Sequence, residues 1–231
     1  MPNNTNESEC IEKVDQPSTE LLSLFSSIAN ISDKLKSCVR KYNTLNIHTR
    51  SVDDLAAMIL AFRAIKFIDA ALLTARAGYM EPSATLVRAI YETYLWSRYV
   101  ILGNGQKYLD TLKSQMTAVA KKLNDVGGLW HNSPVHESLN NPITHPPNWK
   151  GLAEETDMKI AHNTFYPYFS NLSHGNAAGS IDIERNRVTF QPDFSAINLT
   201  AEAFELWARS ILVLFEEWWT NSKVAPAPKK E

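Results

Sequence analysis

The stretch STELLSLFSSIANISDKLKSCVRKYNTL, residues 18–45, sets Leu21, Phe25, Ile28, Ile31, Leu35, Val39 and Tyr42 three or four positions apart. That spacing follows the 3.6-residue turn of an α-helix, and its polar partners fall on the other side. The same period returns along the chain. Ser51 with Asp54 forms a capping-box start for a second helix running to about Gly78. After GYMEPSA, Ser83 opens a third helix, SATLVRAIYETYLWSRYVIL, which ends at Gly103. A fourth, about 105–126, is expected to bury Leu109, Leu112, Met116, Val119, Leu123 and Val126 before Gly127 and Gly128 stop it. Shorter helices are expected near 149–158 and 165–175, and a last one at 200–222, capped by Thr200. Between the last two, IDIERNRVTFQPDF alternates apolar and polar residues around a polar turn, the pattern of a small β-hairpin near 181–191. The sequence therefore predicts an all-α bundle of about six to seven helices, with one hairpin inserted before the last.

Composition fits that class. With 231 residues, 44% of them apolar, the chain can build one core without metal or disulfide staples. Residues 1–17 are read as a disordered acidic leader, 18–222 as a single helical-bundle domain, and 223–231 as a flexible Ala/Pro/Lys tail. The leader has neither the basic nor the apolar segment of an export signal. The most apolar stretch, AAMILAFRAIKFIDAALL, is interrupted by Arg63, Lys66 and Asp69, so no membrane span is expected. Two cysteines, Cys10 and Cys38, suit a reducing compartment, and the expected location is cytoplasmic. The net charge is −2. A chain that grips long nucleic acid through phosphates usually carries a basic excess, so extended DNA binding is not expected.

Chemistry concentrates in two places. The third helix carries Arg88 and Glu92, four residues apart, among Leu86, Val87, Ala89, Ile90, Leu95 and Trp96. A charged group in such a setting needs a partner. The stretch HNTFYPYFSNLSHGN, residues 162–176, sets His162, Tyr166, Ser170 and His174 at steps of four. Pro167 is best accommodated in a first turn, which starts the helix near Phe165 and leaves His162 outside the stripe. His174 then falls in the last turn, where the helix dipole favours its protonated form.

Between these two regions runs a loop, 127–148, with His131, His136 and His145 and flanking Trp130 and Trp149. Its length suggests a mobile lid over Arg88 and His174, with Trp130 and His131 as ligand contacts beside Tyr166 and Ser170. The three histidines have no fixed ligand spacing, and HESLN at 136–140 lacks the second histidine of a zinc-protease helix. No metal and no cofactor is expected.

The paired motifs R-x-x-x-E (Arg88, Glu92) and Y-x-x-[LF]-S-x-x-x-H-G (Tyr166, Phe169, Ser170, His174, Gly175), with Trp149 between them, resemble a large family of helical prokaryotic proteins. That family is known only as a domain of unknown function, and the resemblance covers roughly residues 50–220. The architecture is also similar to the higher-eukaryote and prokaryote nucleotide-binding (HEPN-like) helical superfamily. Many of its members are metal-independent ribonucleases of toxin–antitoxin and phage-defence systems. Their signature is an arginine, four to six intervening residues, then a histidine. Counting back from His174, those positions hold Pro167, Tyr168 and Phe169, so the signature is missing.

Two functional expectations follow. The first is a partner- or ligand-binding module that forms a homo-oligomer through the very apolar last helix. The second, which the resemblance suggests, is an RNA endonuclease. There His174 is the general base on a ribose hydroxyl, a displaced Arg88 stabilises the phosphorane, and Glu92 orients Arg88.

Overall fold

The computed structural model describes residues 16–43, 50–125, 148–173, 181–182, 187–188 and 197–222. Seven α-helices organise these residues: α1 (Thr19–Asn43), α2 (Val52–Arg76), α3 (Met80–Tyr99), α4 (Gly105–Asp125), α5 (Trp149–Glu155), α6 (Lys159–Ser173) and α7 (Ile197–Ser222). Helix α3 is the centre of the bundle and packs on α2, α5, α6 and α7, while α1 packs on α2 and α7. The fold is all-α, as expected. Ile181–Asp182 pairs antiparallel with Arg187–Val188. The rest of the expected hairpin lies outside the described residues.

The first helix buries the residues its period selects: Leu21, Phe25, Ile28, Ile31, Leu35, Val39 and Tyr42. Side chains of this kind each stabilise a fold by roughly 1.5–3 kcal/mol when fully buried. Helix α2 behaves differently. Its buried face is built mostly of small residues, Ala56, Ala57, Ala61, Ala64, Ala71 and Ala75, with Leu60 and Ile68. Alanines bring α2 close to α3, and they leave larger apolar residues of α2 on its outer side. The capping box at its start is present: Ser51 Oγ accepts from the Asp54 N–H at 3.1 Å, and Asp54 Oδ2 accepts from the Ser51 N–H at 2.9 Å.

Three sequence expectations need correction. Helix α3 starts at Met80, not Ser83; Ser83 is buried inside it. Helix α7 starts at Ile197, so Thr200 is a buried residue of the helix and not its cap. The expected stop at Gly103 is present: its φ of 86° breaks the helical geometry, and the chain kinks there between α3 and α4. Only glycine adopts that conformation at little cost.

The third correction concerns α4. Its buried positions are Tyr108, Thr111, Ser114 and Thr117, whereas Leu109 and Leu112 are half-buried and Met116 and Val119 are exposed. The buried positions recur in steps of three, so beyond Tyr108 the covered face of α4 is polar and the apolar stripe lies beside it. Leu123 and Val126 cannot be compared, since their side chains lie outside the description. At the start of α4 the Asp53 carboxylate of α2 accepts from the Gly105 N–H at 2.6 Å, which ties the two helix starts together.

Among the described residues no helix is long and apolar enough to cross a membrane.

Candidate functional site

The site grows from one turn of α3. Arg88 and Glu92 lie on the same face, and Arg88 Nε donates to Glu92 Oε1 at 3.0 Å. Both side chains are largely covered, with 19% and 13% of their surface exposed. The Arg88 Nη2 group donates to the Tyr166 hydroxyl of α6 at 2.7 Å, and its guanidinium carbon sits 4.7 Å from the centre of the same ring. One arginine therefore holds α3 to α6 by a hydrogen bond and a cation–π contact, while its ion pair with Glu92 stays within α3.

Tyr166 is the hub of an aromatic cluster. His162 stacks on it with ring centres 4.5 Å apart, and Trp149 of α5 lies 6.4 Å away. His162 also stacks at 6.1 Å on Tyr91, which in turn meets Trp207 of α7 at 4.7 Å. Phe165 contacts Trp207 edge-on at 5.3 Å. Four helices, α3, α5, α6 and α7, thus meet around Tyr166 and Tyr91.

His162 is the residue that sequence reasoning set aside. Helix α6 begins at Lys159, one and a half turns before the expected start, and Pro167 sits in its interior. An interior proline removes one N–H and leaves the carbonyl four residues back, that of Asn163, without its helical partner. Asn163 is an exposed residue of the helix, on a side open to solvent. The helix tolerates Pro167 for this reason, and His162 and Tyr166 become neighbours one turn apart. The four-residue spacing was the signal that could have found the pair.

The electrostatics follow burial. Desolvation raises the Glu92 carboxyl above the ordinary carboxylate range, against the pull of Arg88 and, more weakly, of Arg63 from α2. Tyr166 is raised by burial too, opposed by Arg88. Burial lowers His162, whose ring is 8% exposed, so its neutral form is favoured. Its Nδ1, the Tyr91 hydroxyl and the Trp207 Nε1 are all buried without a hydrogen-bond partner among the described residues.

The remaining expected site residues divide simply. Ser170 lies one turn beyond Tyr166 and is half-buried, and no described hydrogen bond links it to Arg88 or Glu92. His174, Trp130 and His131 lie outside the described residues, as does the expected lid up to residue 147. Among the described residues no three His, Cys, Asp or Glu side chains are grouped so as to hold a metal ion.

What the described cluster can do chemically is limited. It offers a guanidinium whose Nε and Nη2 donors are already engaged, a shielded carboxylate, and aromatic rings that exclude water. Such a set holds helices in place and presents a stiff, slightly polar surface; it shows no nucleophile aligned with a base.

A comparison with curated proteins found no match to the chain, and a comparison with solved structures found none. Residues 54–187 match the model of a family of unknown function, DUF5677. The matched span holds both quoted motifs, from Arg88 to Gly175, and more than half of the chain. The chain belongs to the DUF5677 family.

Proposed function

We propose that this protein is a helical partner- or ligand-binding module, and that Arg88, Glu92 and Tyr166 form its organising centre. The observation that carries the reading is the engagement of Arg88. Its Nε serves Glu92, its Nη2 serves Tyr166, and its charge rests on the Tyr166 ring. A guanidinium that stabilises a transient phosphorane has to turn its donors towards the substrate. One held this way must first give up a shielded ion pair, which is costly.

The proposed ligand surface is the rim of this cluster, Tyr166, Ser170 and Trp149, with Trp130 and His131 assigned to it from sequence alone. The proposed assembly is a homo-oligomer through α7. Leu199, Leu206 and Val213 lie seven residues apart on that helix and are 54%, 46% and 45% exposed, a spacing suited to helix–helix contact. The HEPN-like resemblance stays within this proposal and rests on the helical architecture.

The second reading, a metal-independent RNA endonuclease using His174 and Arg88, keeps its support from the matching positions of those two residues in the motifs. Purified full-length chain incubated with single-stranded and hairpin RNA in the presence of EDTA separates the two. A binding module leaves the RNA intact at any protein concentration. Cleavage that is lost in His174→Ala would instead establish the nuclease.

A further inference from the structure

Helix α2 carries several large apolar residues outside its buried, alanine-rich face. Ile59, Phe62, Arg63, Lys66 and Phe67 recur at the i, i+3, i+4, i+7, i+8 spacing of one helix face and line a cleft of about 360 Å³. Phe62 is 46% exposed, although Ala56, Ala57, Ala61 and Ala64 of the same helix are fully covered. An exposed large apolar group beside a cleft is informative in a way that a scattered surface leucine is not.

The cleft is also charged with one sign. Its lining holds two cations, Arg63 and Lys66, and no acid. The Arg63 guanidinium lies 5.2 Å over the Phe67 ring, with its inner side towards Tyr108 and Glu92.

We infer that the α2 cleft binds a small amphipathic carboxylate: its apolar tail lies on Ile59, Phe62 and Phe67, and its carboxylate is held by Arg63 and Lys66. The volume is at the lower end of ligand sites, roughly 300–1,000 Å³, which suits a short chain. Charge complementarity selects the headgroup, because an anion answers the two cations of the lining, Arg63 and Lys66, and meets no acid there. The site lies on the outer side of α2 and does not depend on the role proposed for Arg88 and Tyr166.

The test uses the full chain and octanoate as the probe, followed by isothermal titration calorimetry. Saturable binding of one octanoate per chain is expected. Octanol, with the same tail and no charge, should bind at least about tenfold more weakly, since a charge-assisted hydrogen bond contributes that much. Lys66→Gln and Arg63→Gln should each weaken octanoate about tenfold, and Phe62→Glu should abolish binding. Leu73→Glu, at a highly exposed position of the same helix, should bind as the parent does. Arg63 also faces Glu92 and its variant could lose stability; Phe62 and Lys66 are exposed, and their variants are expected to fold normally by circular dichroism. Absence of a saturable signal with octanoate would overturn the proposal. Binding unmoved by Phe62→Glu, equal affinity for octanol, or capture of an acidic peptide but not octanoate would do the same.

Discussion

Arg88 touches Tyr166 in two ways at once: its Nη2 donates to the phenol oxygen at 2.7 Å, while its guanidinium carbon lies 4.7 Å from the ring centre. The two contacts can be separated by mutation. Tyr166→Phe removes only the acceptor and should lower unfolding free energy by about 1.5–3 kcal/mol, the usual range for a hydrogen bond to a charged group. Tyr166→Ala also removes the ring that His162, Trp149 and Arg88 share, and should cost about 3–5 kcal/mol. Urea unfolding followed by tryptophan fluorescence measures both. Equal losses for the two variants would mean that the ring contributes nothing.

Glu92 tests whether the ion pair acts as a unit. Glu92→Gln keeps an oxygen for Arg88 Nε but leaves the shielded cation uncompensated, so a loss of about 2–3 kcal/mol is expected. Replacing both partners, Arg88→Met with Glu92→Leu, should recover most of it, because a well-packed apolar pair avoids the desolvation cost. A double variant whose loss equals the sum of the single losses would show that the two residues are not coupled.

His162 gives a pH dependence with a definite sign. Its folded-state pKa is lowered by burial, so the unfolded chain takes up the proton more readily. The contribution is present above the ordinary value of about 6.5 and is lost as pH falls below it, through the lower folded-state value. Glu92, raised by burial, acts in the opposite sense: its contribution is present below the ordinary carboxylate value and is lost as pH rises through the raised one. In His162→Phe the loss of stability between pH 6.5 and 5 should be smaller than in the parent chain. Unfolding curves of equal slope against pH would remove His162 from the list of titrating core groups.

These residues also show how far the sequence could be read. Arg88 and Glu92 were legible because a charged pair four apart in an apolar helix has few ways to be satisfied, and the cheapest is each other. The first helix was legible for a similar reason, its seven apolar positions leaving a single buried face. His162 was misplaced because proline usually marks a first turn, whereas here the exposed position of Asn163 lets Pro167 sit inside α6. The apolar stripe of α4 was misread for a different reason. Periodicity tells which residues share a face, but beyond Tyr108 the face that is covered is the polar one beside the apolar stripe. Tyr91 and Trp207 join the site from helices far apart in sequence, and no local pattern announces such a meeting.

Gly105 supports the junction between α2 and α4 by having no side chain. A Cβ there would run into the backbone and carboxylate of Asp53. Gly105→Ala should destabilise the chain by about 1–3 kcal/mol, a typical cost of forcing atoms into filled space. Asp53→Ala, which only removes the carboxylate from the Gly105 N–H, should cost about 1 kcal/mol. Thermal unfolding that ranks Asp53→Ala as the more damaging variant would contradict this packing.

The most direct test of the binding-module reading is the unfolding free energy of Arg88→Ala, measured in urea beside the parent chain. Removing the arginine strands Glu92 and empties the space over Tyr166, so a loss of about 3–4 kcal/mol is expected, with no RNA cleavage by either protein. Unchanged stability in Arg88→Ala, together with RNA cleavage by the parent that the variant has lost, would contradict it and assign Arg88 to catalysis.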